Sequence, residues 1–163
     1  MPSYFSLALV VGVLAVLATW IFGLPVAKDN NLQVWIAFIA WGGHFHCGGK
    51  FGGIRDTVVC MTFGALVGMV AVMLAGHLVS LGDFAAPVAV GLGAAVICLA
   101  SKVPYLGTIP ASVYGFAAIA GVILLKGTPP QEAILPTFIS VVIGGIFGYV
   151  SEQLTAALSK KEA

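Results

Sequence analysis

Charge is rationed along this chain so that six stretches, residues 1–27, 32–49, 57–82, 84–101, 103–125 and 133–151, carry no Asp, Glu, Lys or Arg at all. An α-helix rises about 1.5 Å per residue, so crossing roughly 30 Å of hydrocarbon takes about 20 apolar residues. Runs of this length, separated by isolated charges, restrict the chain to one solvent. Charged residues make up 8% of the sequence and hydrophobic ones 60%, whereas a soluble domain has about a quarter of its residues charged. The bilayer is the solvent, and the fold class is all-α: a polytopic membrane helix bundle.

The same charge pattern excludes other classes. A net charge of +1 without a basic run offers nothing to a polyanion, so nucleic acid is not expected as a partner. Cys47, Cys60 and Cys98 lie in or beside apolar stretches without metal-type spacing, and read as small buried hydrophobes. The first apolar run is too long for a signal h-region and lacks a basic flank, so it reads as a permanent span. Residues 1–163 are expected to form one integral-membrane domain.

Six transmembrane helices fit the pattern, at about residues 4–24, 32–47, 57–80, 85–101, 105–125 and 133–158. The second and fourth are short. Five crossings with a re-entrant segment would put the termini on opposite sides. With six crossings, Lys50, Arg55, Lys102, Lys160 and Lys161 share one side, against Lys28 and Lys126 on the other. The positive-inside rule then places both termini in the cytoplasm. Tyr4, Trp20, Trp35 and Trp41 near span ends suit an interfacial aromatic belt.

An internal repeat is discernible. Residues 58–70 (VVCMTFGALVGMV) lie over 138–150 (FISVVIGGIFGYV) at an offset of 80, and residues 9–17 resemble 89–97. A repeat of three helices is odd in number, so its second copy would be inverted in the membrane, an arrangement used by many transporters. The alternative is that Gly, Ala and Val recur by chance in any apolar sequence. The pairs Gly64/Gly68 and Gly144/Gly148 have the spacing that lets helix backbones approach closely in lipid, within one chain or between copies in a homo-oligomer.

The most unusual segment is Trp41-Gly42-Gly43-His44-Phe45-His46-Cys47-Gly48-Gly49. Two histidines two apart cannot share a helix face. Either the helix breaks at Gly42-Gly43 or the two rings point apart. A broken end at membrane depth would suit a pore mouth or solute site. In the fifth span, Thr108, Pro110, Ser112 and Tyr114 place hydroxyls around a proline that removes a backbone hydrogen bond. Trp41, His44, His46, Thr108, Pro110, Ser112 and Tyr114 are therefore the candidate pore or solute-site residues. A structural hydrogen bond for each histidine and a harmless kink at Pro110 are the plainer alternatives. No further ligand accompanies His44, His46 and Cys47 nearby, so no metal or cofactor is expected. Neither a nucleophile–base pair nor a phosphate loop occurs, so catalysis is not expected. Glu152 falls in the last turns of the sixth span, and no carboxylate lies at mid-membrane to couple an ion gradient.

Phe45-His46-Cys47-Gly48-Gly49-Lys50-Phe51-Gly52-Gly53, Ile109-Pro110-Ala111 and the stretch from Leu135-Pro136 to Gly144-Gly145-Ile146-Phe147-Gly148-Tyr149-Val150 resemble the YcdZ-like family of small bacterial inner-membrane proteins of unknown function. The resemblance covers nearly the whole chain and implies location and topology, without a substrate or site residue. The expected function is a channel or facilitator for a small, uncharged or weakly acidic solute, acting as a homo-oligomer. A non-transporting scaffold or accessory subunit is the alternative, and a coupled transporter ranks third.

Overall fold

The computed structural model describes residues 3–159, all in helices and short connections; Lys160, Lys161 and Glu162 of the basic tail lie outside them. Seven α-helices follow in order: α1 (Ser3–Gly23), α2 (Pro25–Asp29), α3 (Val34–His46), α4 (Lys50–His77), α5 (Ala85–Ala100), α6 (Ile109–Lys126) and α7 (Pro130–Ser159), with a 3₁₀ segment at Val79–Phe84 before α5. Five segments are long and apolar enough to cross a membrane: Tyr4–Gly23, Lys50–His77, Val79–Ala100, Ile109–Lys126 and Pro130–Ser159.

The sixth expected span differs. Helix α3 has 13 residues, about 20 Å at 1.5 Å per residue. It stops because the chain turns through Gly48 and Gly49, at φ +90° and +69°, values that only glycine adopts readily. The third span was expected to begin at about residue 57. Instead α4 begins at Lys50 and absorbs Gly52 and Gly53. Tertiary packing overrides weak helix propensity there, since Gly53 lies directly against His44.

Burial repeats along the chain. Gly53, Thr57, Cys60, Met61, Gly64, Ala65, Gly68 and Ala71 are the buried positions of α4. Each recurs 80 residues later, as Ala133, Thr137, Ser140, Val141, Gly144, Gly145, Gly148 and Ser151 of α7. Ile36, Ala37, Ala40, Gly43 and His44 of α3 recur 75 residues later as Ala111, Ser112, Gly115, Ala118 and Ile119 of α6. Val10, Leu14 and Ala18 of α1 recur as Ala89, Gly93 and Ile97 of α5. That spacing is 79, one less than the alignment of residues 9–17 with 89–97 suggests, because burial rather than letter similarity sets the register.

Packing repeats in the same way. Helix α3 lies along α7 and α6 along α4, while α1 rests on α7 and α5 on α4. Helices α3 and α7 run parallel: Gln33 at the start of α3 meets Ser140, and His44 near its end meets Glu152, further along α7 in the same direction. One core cluster joins α3, α4, α6 and α7 through Ile36, Met61, Ile119 and Val141. A smaller one seats Trp41 among Val10, Leu14 and Ala18 of α1. Trp41 is therefore a core residue, not part of an interfacial belt, whereas Tyr4 and Trp20 are exposed.

Candidate functional site

Helix α3 continues unbroken through Gly42 and Gly43, so its two histidines point apart. His44 is fully buried. Its imidazole enters a space between α4 and α7 that exists because two side chains are missing. A Cβ on Gly53 would come 2.8 Å from the His44 carbonyl oxygen, and one on Gly148 would come 2.6 Å from the His44 Cβ. Further toward its start, α3 touches α7 backbone to backbone, Ala37 against Gly144. Close approach of this kind is what draws helices together in lipid, where no hydrophobic force separates protein from solvent.

The His44 Nε2 lies 3.0 Å from Glu152 Oε2. The carboxylate accepts, so Nε2 carries the proton. The same oxygen accepts the Lys50 N–H at 2.6 Å. The first N–H groups of any helix lack intrahelical partners, and the short turn after α3 leaves the start of α4 without a capping side chain of its own. Glu152 supplies the acceptor from another helix, with its negative charge at the positive end of the α4 dipole. One turn away, Trp41 Nε1 donates to Ser151 Oγ at 2.9 Å, and Ser151 Oγ donates to the Gly148 carbonyl at 2.7 Å. The indole packs against Phe147 with centroids 5.5 Å apart.

The α6/α4 crossing has the same geometry and different chemistry. Gly64 meets the Ser112 backbone, Gly115 meets the Met61 backbone, and a Cβ on Gly68 would fall 2.7 Å from Ile119 Cγ2. At the positions equivalent to Trp41, His44, Ser151 and Glu152 stand Phe116, Ile119, Ala71 and Val72. Phe116 lies over Gly93 of α5, 2.8 Å from where a Cβ would be. Among the described residues, this crossing carries no carboxylate and no imidazole.

The other expected site residues are placed as follows. His46 Nδ1 lies 2.9 Å from the Tyr114 hydroxyl, so the end of α3 meets the first turns of α6. A shallow outer groove lined by Phe38, Ile39, Gly42, Tyr114 and Ala117 runs between them. Pro110 does not break a helix. It sits in the first turn of α6, where its missing N–H costs nothing. Thr108 precedes α6 without a capping side-chain bond, and Ser112 is buried at the Gly64 crossing. All four candidate packing glycines are used inside the chain: Gly64 and Gly68 against α6, Gly144 and Gly148 against α3.

Several groups were not singled out by the sequence. Glu152 was placed near the surface without its link to His44. Ser151 was missed, as were Thr57 and Thr137, buried and equivalent in α4 and α7, whose hydroxyls have no partner among the described residues. The offset of 80 was a signal that could have found both threonines, which stand one position before the aligned stretches 58–70 and 138–150.

Residues 8–156 match a family described as protein of unknown function (DUF1097). The chain belongs to this family. The match begins within α1 and ends within α7, so it includes both helix crossings. No curated protein and no solved structure matches the chain. The family description supplies no substrate, and function must be argued from the residues themselves.

Proposed function

We propose that this DUF1097 protein is a non-enzymatic facilitator for a small, uncharged or weakly acidic solute, made of two inverted three-helix halves and acting as a homo-oligomer. The observation that carries this reading is the recurrence of every buried position of α4 in α7, with the partner helices exchanged in step. Two equivalent halves related in this way can exchange conformations about a shared interface, and that exchange is how alternating access works in inverted-repeat carriers. The glycine crossings hold α3 on α7 and α6 on α4 in backbone contact, and on this reading passage requires the halves to move.

Inside the bundle, the hydroxyls of Thr57 and Thr137 and the Nδ1 of His44 have no protein partner among the described residues. They are the groups available to a small polar solute. On this reading α3 crosses the membrane with its flanking turns, as the counterpart of the longer α6, giving six crossings. Both termini then face the cytoplasm of a bacterium, as the YcdZ-like resemblance and the distribution of Lys and Arg suggest. The four packing glycines meet other segments of the same chain, so they are not free to pack against a partner.

Proteoliposome swelling across a panel of polyols, amides, short carboxylic acids and ions tests the proposal. Flux of at least one solute above empty vesicles, lowered by Thr57→Val or Thr137→Val, is the expected result. Absence of flux for every solute would overturn it.

A further inference from the structure

Two loops in equivalent places each pivot on a residue with left-handed backbone. Asn31, three residues before α3, has φ +54°, and Tyr105, four residues before α6, has φ +68°. Asn tolerates this conformation and a bulky aromatic does not. Asn31 is a structural pivot: its side chain donates to Thr128 Oγ1 and accepts from Lys126 Nζ. The backbone need at the second pivot would be met as well by Asn or Gly. A tyrosine held there against its own preference points to a use for its ring, because strain of this kind collects where function requires it.

The ring lies under a charge. The Arg55 guanidinium carbon is 4.5 Å from the Tyr105 ring centroid. Arg55 Nε donates to Asp56 Oδ1 at 2.7 Å, while its two Nη groups make no hydrogen bond among the described residues. Arg55 is half-exposed, and Lys102 lies in the same loop as Tyr105. Directly below the pair an open groove descends the bundle between α4, the α5–α6 connection and α7, walled by Val58, Phe63, Leu66, Pro104, Leu106 and Phe138. A cationic fork with free N–H donors above a trough that is apolar apart from Thr62 has the two-part chemistry of an anionic amphiphile.

We propose that this groove is a binding site for an anionic phospholipid, with an acyl chain against Phe63, Leu66 and Phe138 and the phosphate on the Arg55 Nη groups. Tyr105 holds the guanidinium over the mouth of the groove, and the Cys60 Sγ–H, donating to the Tyr105 carbonyl at 3.2 Å, fixes the pivot. Asp56 neutralises part of the Arg55 charge, so selectivity rests on the two Nη donors and Lys102. The site is independent of any transported solute.

The test uses the full chain, delipidated in neutral detergent and titrated with phosphatidylglycerol or phosphatidylcholine of identical acyl chains, read by native mass spectrometry and thermal midpoint. An Arg near a membrane surface contributes about 1 kcal/mol toward anionic lipid, so phosphatidylglycerol is expected to bind about fivefold more tightly. Tyr105→Asn is expected to keep or raise the lipid-free midpoint, since Asn suits the backbone, and to lose the preference. Arg55→Gln should lose it as well, and Tyr105→Phe should retain it. Equal binding of both lipids to the unmodified protein overturns the proposal, as does an undiminished preference in both Tyr105→Asn and Arg55→Gln. Should Tyr105→Asn fail to fold, Arg55→Gln alone decides. A midpoint shift from inorganic phosphate equal to that from phosphatidylglycerol would mean a bare phosphate site and would overturn the lipid reading.

Discussion

The α3/α7 and α6/α4 crossings use one backbone solution and two chemistries. In both, glycine brings parallel helices into backbone contact, Gly144 on Ala37 and Gly64 on Ser112. The first then carries Trp41, His44, Ser151 and Glu152, tied by hydrogen bonds at 2.9 and 3.0 Å. The second carries Phe116, Ile119, Ala71 and Val72 at the same places. Backbone geometry therefore does not require the polar set. What requires it is local: α3 ends early, α4 begins without its own cap, and a carboxylate from α7 fills the gap. The longer α6 runs on to Lys126 and leaves no such gap.

The largest expected effect tests whether the two crossings are equivalent. Gly64→Ala and Gly144→Ala each drive a Cβ into a backbone that cannot yield, and each should cost about 3 kcal/mol or prevent folding. Gly145→Ala meets only ordinary contacts, at 3.6 and 3.7 Å, and its counterpart is already Ala65; it should be nearly neutral. Unfolding in mixed micelles reads all three. If Gly64→Ala were tolerated and Gly144→Ala were not, the crossings would differ in packing as well as decoration.

A second experiment converts one crossing into the other. His44→Ile leaves Glu152 with the Lys50 amide alone, and Glu152→Val leaves a buried imidazole without its acceptor. Each single change should cost about 2 kcal/mol, and the double variant should regain much of the loss, because replacing both partners of a buried pair is far cheaper than removing one. Additive costs would mean that the capping of α4, not the His44–Glu152 contact, dominates.

The smallest effect belongs to the indole. Trp41→Phe removes the bond to Ser151 and should cost about 1 kcal/mol. Adding Ser151→Ala, which completes the match to Phe116 and Ala71, should add little to that cost. A double-mutant cycle by the same unfolding assay measures the coupling.

Much of this arrangement was legible in the residues. Runs without charge were read as six spans, of which five are long apolar helices and the sixth is the 13-residue α3; the offset of 80 between residues 58–70 and 138–150 marked α4 and α7, and the glycine pairs at i and i+4 marked both crossings. The short α3 was flagged by its length, yet its continuity through Gly42-Gly43 was not, because a mid-helix glycine pair looks like a break unless the groove it fits is known. Pro110 misled for a related reason: a proline reads as a kink or as a helix start depending on where the helix begins, and that was set by the loop through Tyr105. His44 was noticed, but its partner lies 108 residues away, and no local spacing announces such a pair.

The sequence by itself determined the solvent, the placement of the long apolar helices and the likeness of α4 to α7 at an offset of 80, since these follow from the cost of placing charge in hydrocarbon and from side-chain periodicity. Tertiary structure alone decided that Glu152 caps α4 and meets His44, that Trp41 is core, and that Arg55 lies over the Tyr105 ring. Each of those depends on distances between segments far apart in the chain, and such distances are fixed only when the helices pack.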